Sequence, residues 1–312
     1  MTTATLAPVS LPAHPRPPEQ RFGLSCALIT PVDAAGVIDE ARLVMHARRV
    51  LEQGCRSVTV FGTTGEGASF GLASRDRAFN ALARAGLAFD KQVLGSAAAS
   101  SIEECVAQAN QVFDAGAGGL LLAPPFYFKG VSDEGLYAWH ARVLDACHDP
   151  RGVILYHLPS VTQVPLSVSL VGRLARAYPG VITGVKDSSG DWNNTASLLA
   201  AFPDLHILVG DERQLARSIR HGGSGAINGF SNFVAPLLRQ LVEDGQDHPA
   251  LSEMVDKLLT VPVTPGVKAL VADVYGDEGF AIAAPPLVTL AGAARDGLVA
   301  DFRRLLGSAL QR

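Results

Sequence analysis

The sequence predicts an α/β protein: a closed (β/α)8 barrel of the TIM type with a C-terminal helical appendage. Three observations lead to this fold class. Short apolar runs alternate with amphipathic segments, successive runs are separated by about 20 to 40 residues, and the alternation stops after residue 248. Continuous apolar runs are typical of parallel strands buried on both faces, and eight strand–helix units close such a barrel.

The predicted elements follow in chain order. Residues 1–20 contain five prolines and no apolar block, which predicts a disordered tail without a signal peptide. The barrel is predicted over residues 21–247 and a helical region over 248–312. Ser101 and Ser132 precede acidic residues and apolar-periodic runs, as helix N-caps do. The predicted strands are 23–29, 57–61, 92–97, 118–122, 152–156, 181–185, 206–209 and 225–227, and the C-terminal helices are 251–259, 265–275 and 286–310.

Composition excludes several classes of protein. Of 312 residues, 48% are apolar and 18% are charged, and the net charge of −4 argues against a largely disordered chain. No basic run is present, so we expect no nucleic-acid partner. No uninterrupted apolar stretch reaches about 18 residues, so we expect no membrane span. The four cysteines form no C-x-x-C pair, which predicts buried thiols and a cytoplasmic location.

Lys186 is the most informative single residue. Only five of the 26 basic residues are lysines, and this one ends the predicted sixth strand. Chemistry in this fold is carried out at the carboxyl ends of the strands. A lysine in an apolar environment is more easily neutral and can then attack a ketone to form a Schiff base. The alternative is a structural ion pair with Asp187 or an internal glutamate.

Two further strand ends carry candidate groups. Tyr156 ends strand five, where its phenol could transfer protons during Schiff-base formation or could simply contribute to packing. Residues 62–66, GTTGE, place hydroxyls and backbone N–H groups before a helix, where they could hold a carboxylate or form a plain turn. The glycine-rich segment 222–225 leaves open a phosphosugar enzyme.

The histidines predict no metal site. His157 alone among them lies at a strand end, and it has no partner at ligand spacing. His140, His148 and His221 are interpreted as surface helix residues.

Four motifs, in order, carry a resemblance to a known family. They are GTTGE at residues 62–66, Y-x-x-P from Tyr156 to Pro159, G-x-K-D-x-x-G-D at residues 184–191, and GGSGAI at residues 222–227. From about residue 22 into the C-terminal helices, the chain resembles the dihydrodipicolinate synthase / N-acetylneuraminate lyase family of pyruvate-dependent class I aldolases.

The resemblance implies a catalytic set. Lys186 would form an imine with C2 of pyruvate or another 2-oxo acid, so that no metal or organic cofactor is needed. Tyr156 would transfer protons, and Thr63 would link it to Tyr127 contributed across a subunit interface. The family commonly forms homotetramers, as dimers of tight dimers.

The resemblance also implies a binding set for the oxo acid. Thr64 would hold its carboxylate through hydroxyl and backbone, in the loop that includes Gly62 and Gly65. Ile227 would offer its carbonyl oxygen beside the bound pyruvate.

Departures from the family pattern bear on the second substrate. Val161 occupies the position at which dihydrodipicolinate synthases carry an arginine, and a valine cannot bind a carboxylate. Ala99 lies near the position of the asparagine that helps bind inhibitory lysine. Glu212 and Arg213 lie where sialic acid lyases recognise a hydroxylated tail, and Arg213 is the candidate for a distal carboxylate or hydroxyl contact, with an exposed helix-start arginine as the alternative.

The leading functional prediction is a Schiff-base lyase that joins or cleaves pyruvate and an aldehyde. Its substrate would be a 4-hydroxy-2-oxo acid or a 2-keto-3-deoxy sugar acid. The alternatives are dihydrodipicolinate synthase itself, a keto-deoxy sugar acid dehydratase that uses the same imine, and, more remotely, a non-catalytic 2-oxo-acid sensor.

Overall fold

The computed structural model describes residues 15–311, and these form a closed barrel of parallel strands followed by helices. Each strand pairs with the next in sequence, and the eighth pairs with the first. All eight predicted strands are confirmed, and the sixth extends beyond residue 185 to include Lys186 and Asp187. The strands are β1 (Gly23–Ala27), β2 (Ser57–Val60), β3 (Val93–Ala97), β4 (Gly119–Leu122), β5 (Val153–His157), β6 (Ile182–Asp187), β7 (His206–Val209) and β8 (Gly225–Asn228).

The helices surround the strands and then continue as the appendage. Both predicted N-caps are confirmed, because the Ser101 and Ser132 side chains accept hydrogen bonds from the backbone N–H groups of Glu104 and Gly135. The helices are α1 (Glu40–Glu52), α2 (Leu72–Arg84), α3 (Phe89–Gln92), α4 (Ile102–Asp114), α5 (Asp133–Ala146), α6 (Pro159–Thr162), α7 (Val168–Ala177), α8 (Trp192–Ala201), α9 (Leu215–Arg220), α10 (Ala235–Asp244), α11 (Pro249–Leu258), α12 (Val263–Tyr275) and α13 (Gly292–Leu306).

Buried apolar side chains form two separate clusters, as expected for a barrel inside a ring of helices. The larger cluster fills the space between strands and helices and continues into the appendage. All four cysteines are buried and free, which confirms the prediction of buried thiols. The smaller cluster fills the barrel interior and consists of Ala27, Leu94, Leu121, Ala123, Ile154, Tyr156, Leu158, Leu208 and Ile227.

The C-terminal appendage is helical as predicted, with one boundary corrected. The third helix begins at Gly292 instead of residue 286. Pro285 and Pro286 lack N–H groups, and the backbone turns at Leu287, whose N–H donates to the carbonyl oxygen of Ala284. Among residues 15–311, no single helix is long and apolar enough to cross a membrane, although α11 and α12, bent by 120° to each other, pass that test of length and composition as a pair.

The predicted disordered tail is only partly covered by the structure. Residues 1–14 lie outside the described residues. Residues Pro18–Gln20 form a short 3-10 helix, which differs from the predicted disorder. Arg16 holds this segment to the barrel because its guanidinium donates to the carbonyl oxygens of Pro203 and Leu205, at 2.5 and 2.9 Å.

Candidate active site

Lys186 and Tyr156 lie side by side at the carboxyl end of the barrel. They are register partners on the neighbouring strands β6 and β5, so their side chains point in the same direction. Lys186 is only 5% exposed. Its Nζ donates to the phenolic oxygen of Tyr156 at 3.2 Å and lies 4.3 Å from the centre of the tyrosine ring. The structural ion pair considered for Lys186 is not what the structure shows, because its recorded polar contact is this phenol.

Thr63 extends this pair into a hydrogen-bonded row. Its hydroxyl lies 3.3 Å from the phenolic oxygen of Tyr156, and either group can donate. The loop that follows β2 therefore brings a second hydroxyl to the amine of Lys186 through the tyrosine. Such a row can move a proton between the amine and a bound molecule.

The loop after β2 is held in an unusual backbone conformation. Phe61 and Glu66 both adopt left-handed conformations, with φ of 61° and 54°. Non-glycine residues rarely do so, and such backbone strain is concentrated at functional loops. Gly65 lies so close to the chain that a Cβ would be 2.7 Å from the carbonyl oxygen of Leu28. The hydroxyl of Thr30 donates to the carbonyl oxygen of Gly65 at 2.7 Å, which fixes the turn.

A buried ion pair joins this loop to the appendage. The ammonium of Lys268, on α12, contacts the Glu66 carboxylate, and both side chains are fully buried. Lys268 also donates to the carbonyl oxygen of Ile282 at 2.6 Å, while Glu66 accepts from the backbone N–H of Ala284 at 2.6 Å. Burial lowers the pKa of Lys268, and the adjacent Glu66 carboxylate opposes that shift. We call this pair the Glu66–Lys268 clamp. Sequence analysis missed it, although a lone lysine in the apolar run around residue 268 was a usable signal.

Lys186 lies in a cavity of about 360 Å³ that opens at the barrel mouth. The cavity combines hydroxyl groups on the barrel side with apolar side chains from the appendage. Its size is that of a small-molecule site. Its walls include Thr63, Thr64, Tyr156, Leu158, Ser160, Val161, Lys186, Ser188, Ser189, Asp211, Glu212, Arg213, Ile227, Phe230, Val255, Leu258, Leu259, Val263, Thr264 and Val267.

Arg213 lines the cavity but is already paired. Its Nη2 donates to Asp211 Oδ2 at 2.6 Å, and its Nη1 donates to Asp256 Oδ1, on α11, also at 2.6 Å. Hydrogen bonding to Asp211 raises the pKa of the guanidinium further above its ordinary value. We call this set the Asp211–Arg213–Asp256 cluster. The guanidinium predicted to contact the distal end of the substrate is therefore already paired with two carboxylates of the protein.

Glu212 is the second carboxyl group of interest in the cavity wall. It is buried, and it accepts a hydrogen bond from the backbone N–H of Phe230 at 3.1 Å. Desolvation raises its pKa to about 7. The site therefore holds a carboxyl group that titrates near neutral pH.

Glu212 predicts a pH dependence of stability. Because its pKa in the folded protein lies above the ordinary value of 4.5, the folded protein binds the proton more tightly than the unfolded chain does. Stability therefore falls as the pH rises from 4.5 towards 7 and then levels off. Glu212→Gln removes this loss of stability, which is on the order of 3 kcal/mol. Urea unfolding at about pH 5 and pH 8 should show the variant gaining on the wild type at the higher pH. The prediction is contradicted if the variant and the wild type differ in free energy of unfolding by the same amount at both pH values. It is also contradicted if the exposed control Glu253→Gln shows the same trend with pH.

Three predicted site residues are placed differently from the rest. Gly62 and Gly65 are not among the residues that line the cavity, and they shape the loop through hydrogen bonds and close backbone contact. Tyr127 lies at the surface, 73% exposed, with its ring 5.2 Å from that of Phe128. Within this chain, the described hydrogen bonds do not include one between Tyr127 and Thr63.

The glycine-rich segment at 222–225 does not lie at the barrel mouth. It enters β8 at the amino end, where Gly225 pairs with Gly23 and a Cβ would be 1.9 Å from the carbonyl oxygen of Gly23. The phosphate-site interpretation is therefore wrong about location, and close strand packing explains the glycine.

The prediction that His140 lies at the surface is wrong. His140 is fully buried on α5 instead of lying at the surface, with its Nδ1 2.7 Å from the carbonyl oxygen of Leu136. His157 is buried too, and its Nδ1 accepts from the backbone N–H of Leu166 at 3.0 Å. Within the described part of the chain, no group of three His, Cys, Asp or Glu side chains is placed to hold a metal ion.

Comparison with known proteins identifies the family. The model of the dihydrodipicolinate synthetase family matches residues 20–302. The chain belongs to this family. A crystal structure of dihydrodipicolinate synthase from Agrobacterium tumefaciens superimposes with a TM-score of 0.89 and 45% identity, covering 91% of this chain and 99% of that one.

Curated relatives agree with this assignment. An uncharacterized DapA-like lyase of Chloroflexus aurantiacus is 30% identical over 79% of this chain and 85% of its own length. A 4-hydroxy-tetrahydrodipicolinate synthase of Salinibacter ruber is 31% identical over 72% and 73%. The protein is thus a carbon–carbon lyase of the dihydrodipicolinate synthetase family, whose members are class I aldolases that form a lysine Schiff base with pyruvate.

Proposed function

We propose that Lys186 is the Schiff-base lysine of this lyase and that its substrates are pyruvate and an aldehyde. The observation that carries the proposal is the row of Lys186, Tyr156 and Thr63, with successive distances of 3.2 and 3.3 Å. A buried amine next to a phenol has both the nucleophile and the proton donor that imine formation requires. No metal is needed to polarise the carbonyl, because the imine itself withdraws electrons.

The reaction begins when the neutral amine of Lys186 attacks C2 of a 4-hydroxy-2-oxo acid. Tyr156 returns a proton to the former carbonyl oxygen, water leaves, and a protonated imine remains. Tyr156, left as a phenolate by that step, takes the proton of the C4 hydroxyl, and the C3–C4 bond then breaks and releases an aldehyde. The electron pair of that bond moves into the enamine, which is protonated at C3 and then hydrolysed to pyruvate and free Lys186. Condensation follows the same steps in reverse.

The remaining predicted residues support binding and proton transfer in this proposal. Thr64 holds the C1 carboxylate, and Ile227 offers its carbonyl oxygen beside C2. Both residues line the cavity. The exposed Tyr127 would complete the hydroxyl row of a neighbouring subunit in a homotetramer, and Gly62 and Gly65 would act by shaping the loop.

Dihydrodipicolinate synthase activity is the less favoured alternative. Val161 lines the cavity where that enzyme would need an arginine for the carboxylate of its aldehyde substrate. A dehydratase that uses the same imine would instead remove a proton from C3, and the enamine so formed would expel the C4 hydroxyl as water while the C3–C4 bond stays intact.

Trapping with borohydride tests the proposal directly. Pyruvate and borohydride should together add one reduced pyruvyl group to the protein, because hydride reduces the C=N bond to a stable amine. Peptide mass spectrometry should place that group on Lys186. Lys186→Met should prevent the addition. An unmodified wild-type protein, or a group on the exposed Lys91 or Lys129 instead, would contradict the proposal.

A further inference from the structure

We infer that the outer half of the cavity selects an aldehyde that carries no charge, with its carbon body against an apolar wall. This inference rests on the proposed function, since it assumes that the oxo-acid half of the substrate is bound at Lys186. It concerns the group attached beyond the bond that is made or broken.

The charged side chains at the cavity disfavour a negatively charged tail. Among the described residues that line the cavity, the cations are Lys186 and Arg213. Lys186 is committed to the oxo acid in the proposed reaction. Arg213 faces two carboxylates, Asp211 and Asp256, so the Asp211–Arg213–Asp256 cluster has a net charge of −1 when all three side chains are ionised.

A charged tail would therefore meet an unfavourable field. A second carboxylate or a phosphate in the outer cavity would need to displace an ion pair with N–O distances of 2.6 Å or approach a net negative cluster. Val161 cannot replace the missing cation. The polar groups left for the tail include the hydroxyls of Ser160 and Ser188, which bind an uncharged oxygen well.

An apolar wall in the outer cavity also favours an uncharged tail. Four apolar residues of the appendage line the cavity: Val255 and Leu258 on α11, Leu259 directly after it, and Val263 at the start of α12. Val161, from α6, lines it on the barrel side. Val161, Leu259 and Val263 are 60%, 53% and 43% exposed, so they leave apolar surface open at the mouth of the site. A substrate tail with an apolar body would cover these side chains, whereas a tail that ends in a carboxylate would place its charge next to them.

Two 2-oxo acids test the inference without requiring turnover. 2-Oxoheptanedioate ends in a carboxylate, and 7-methyl-2-oxooctanoate has the same number of heavy atoms and ends in an isopropyl group. Both can form the imine with Lys186 and can be trapped by borohydride. We expect half-maximal trapping of the uncharged tail at a concentration about tenfold lower, the effect of one nearby like charge at partial screening. Trapping of the dicarboxylic acid at an equal or lower concentration would overturn the inference.

Variants assign the selectivity to the cluster. Asp256→Asn removes one partner of Arg213 and one negative charge, so the preference for the uncharged tail should fall by at least about threefold. Glu253→Gln is the matched control on the same helix, since Glu253 pairs with the exposed Arg304 and does not line the cavity. It should leave the preference unchanged. If Asp256→Asn leaves the preference unchanged, the charge of the cluster does not select the uncharged tail, and the electrostatic part of the inference is overturned.

The same measurements separate the two proposals. If pyruvate itself gives no adduct on Lys186, the proposed function fails. If pyruvate is trapped on Lys186 but the dicarboxylic acid is preferred over its isopropyl counterpart, only the inference about the aldehyde fails.

Discussion

Replacing Lys186 with methionine should reduce aldol turnover by on the order of 10⁴-fold or more, as removal of a covalent nucleophile does. The amine is the only proposed group that bonds to the substrate, and its loss removes the imine that accepts the electron pair of the breaking bond. Methionine has a similar length and suits a side chain that is 5% exposed, so the barrel should fold. The measurement is pyruvate release from a 4-hydroxy-2-oxo acid.

Two controls make this result specific. Lys91→Met removes an exposed lysine on α3 and should retain wild-type turnover. A thermal melt of Lys186→Met close to that of the wild type shows that activity was not lost through unfolding. Turnover within tenfold of the wild type would contradict a Schiff-base role for Lys186.

The fold and the centre of the site were accessible to sequence reasoning for a physical reason. Parallel strands buried on both faces are continuous apolar runs, and a lysine or tyrosine that ends such a run stands out. The register between β5 and β6 that makes Tyr156 and Lys186 neighbours follows from strand order once the barrel is assumed. Thr63 was found because its loop carries a recognisable motif.

The outer part of the cavity could not be predicted from the sequence in this way. Its wall comes from α11 and α12, and nothing in the periodicity of an appended helix specifies which face of the barrel it covers. Arg213 was correctly placed near the cavity, but its pairing with Asp256 spans 43 residues and depends on that docking. His140 has a similar explanation, since a polar residue on a helix is read as exposed unless the packing around it is known.

Lys268→Met should destabilise the protein by about 3–5 kcal/mol, the cost of leaving one member of a buried ion pair unpaired. Glu66 would then be a fully buried carboxylate with one described hydrogen bond, from the N–H of Ala284. Because Glu66 is in the left-handed conformation only two residues after Thr64, loosening it should disorder the loop that carries Thr63. We therefore expect kcat to fall together with stability, while pyruvate trapping at Lys186 persists in the protein that remains folded. Urea unfolding and turnover measure the two effects, at one protein concentration for all variants.

The double variant Glu66→Gln, Lys268→Met separates the charge from the connection that it makes. A neutral amide can still accept from Ala284, so the double variant should recover most of the lost stability, as buried pairs do when both charges are removed. It lacks the link between the β2 loop and α12, and its kcat should stay lower than that of the wild type. Arg304→Met breaks the exposed pairs with Glu253 and Asp301 and should cost at most about 1 kcal/mol. If Lys268→Met costs no more than Arg304→Met, the clamp does not hold the loop. If the double variant recovers both stability and full turnover, the two buried charges only compensate each other and do not position the β2 loop. The position of Thr63 would then be determined by contacts within the barrel.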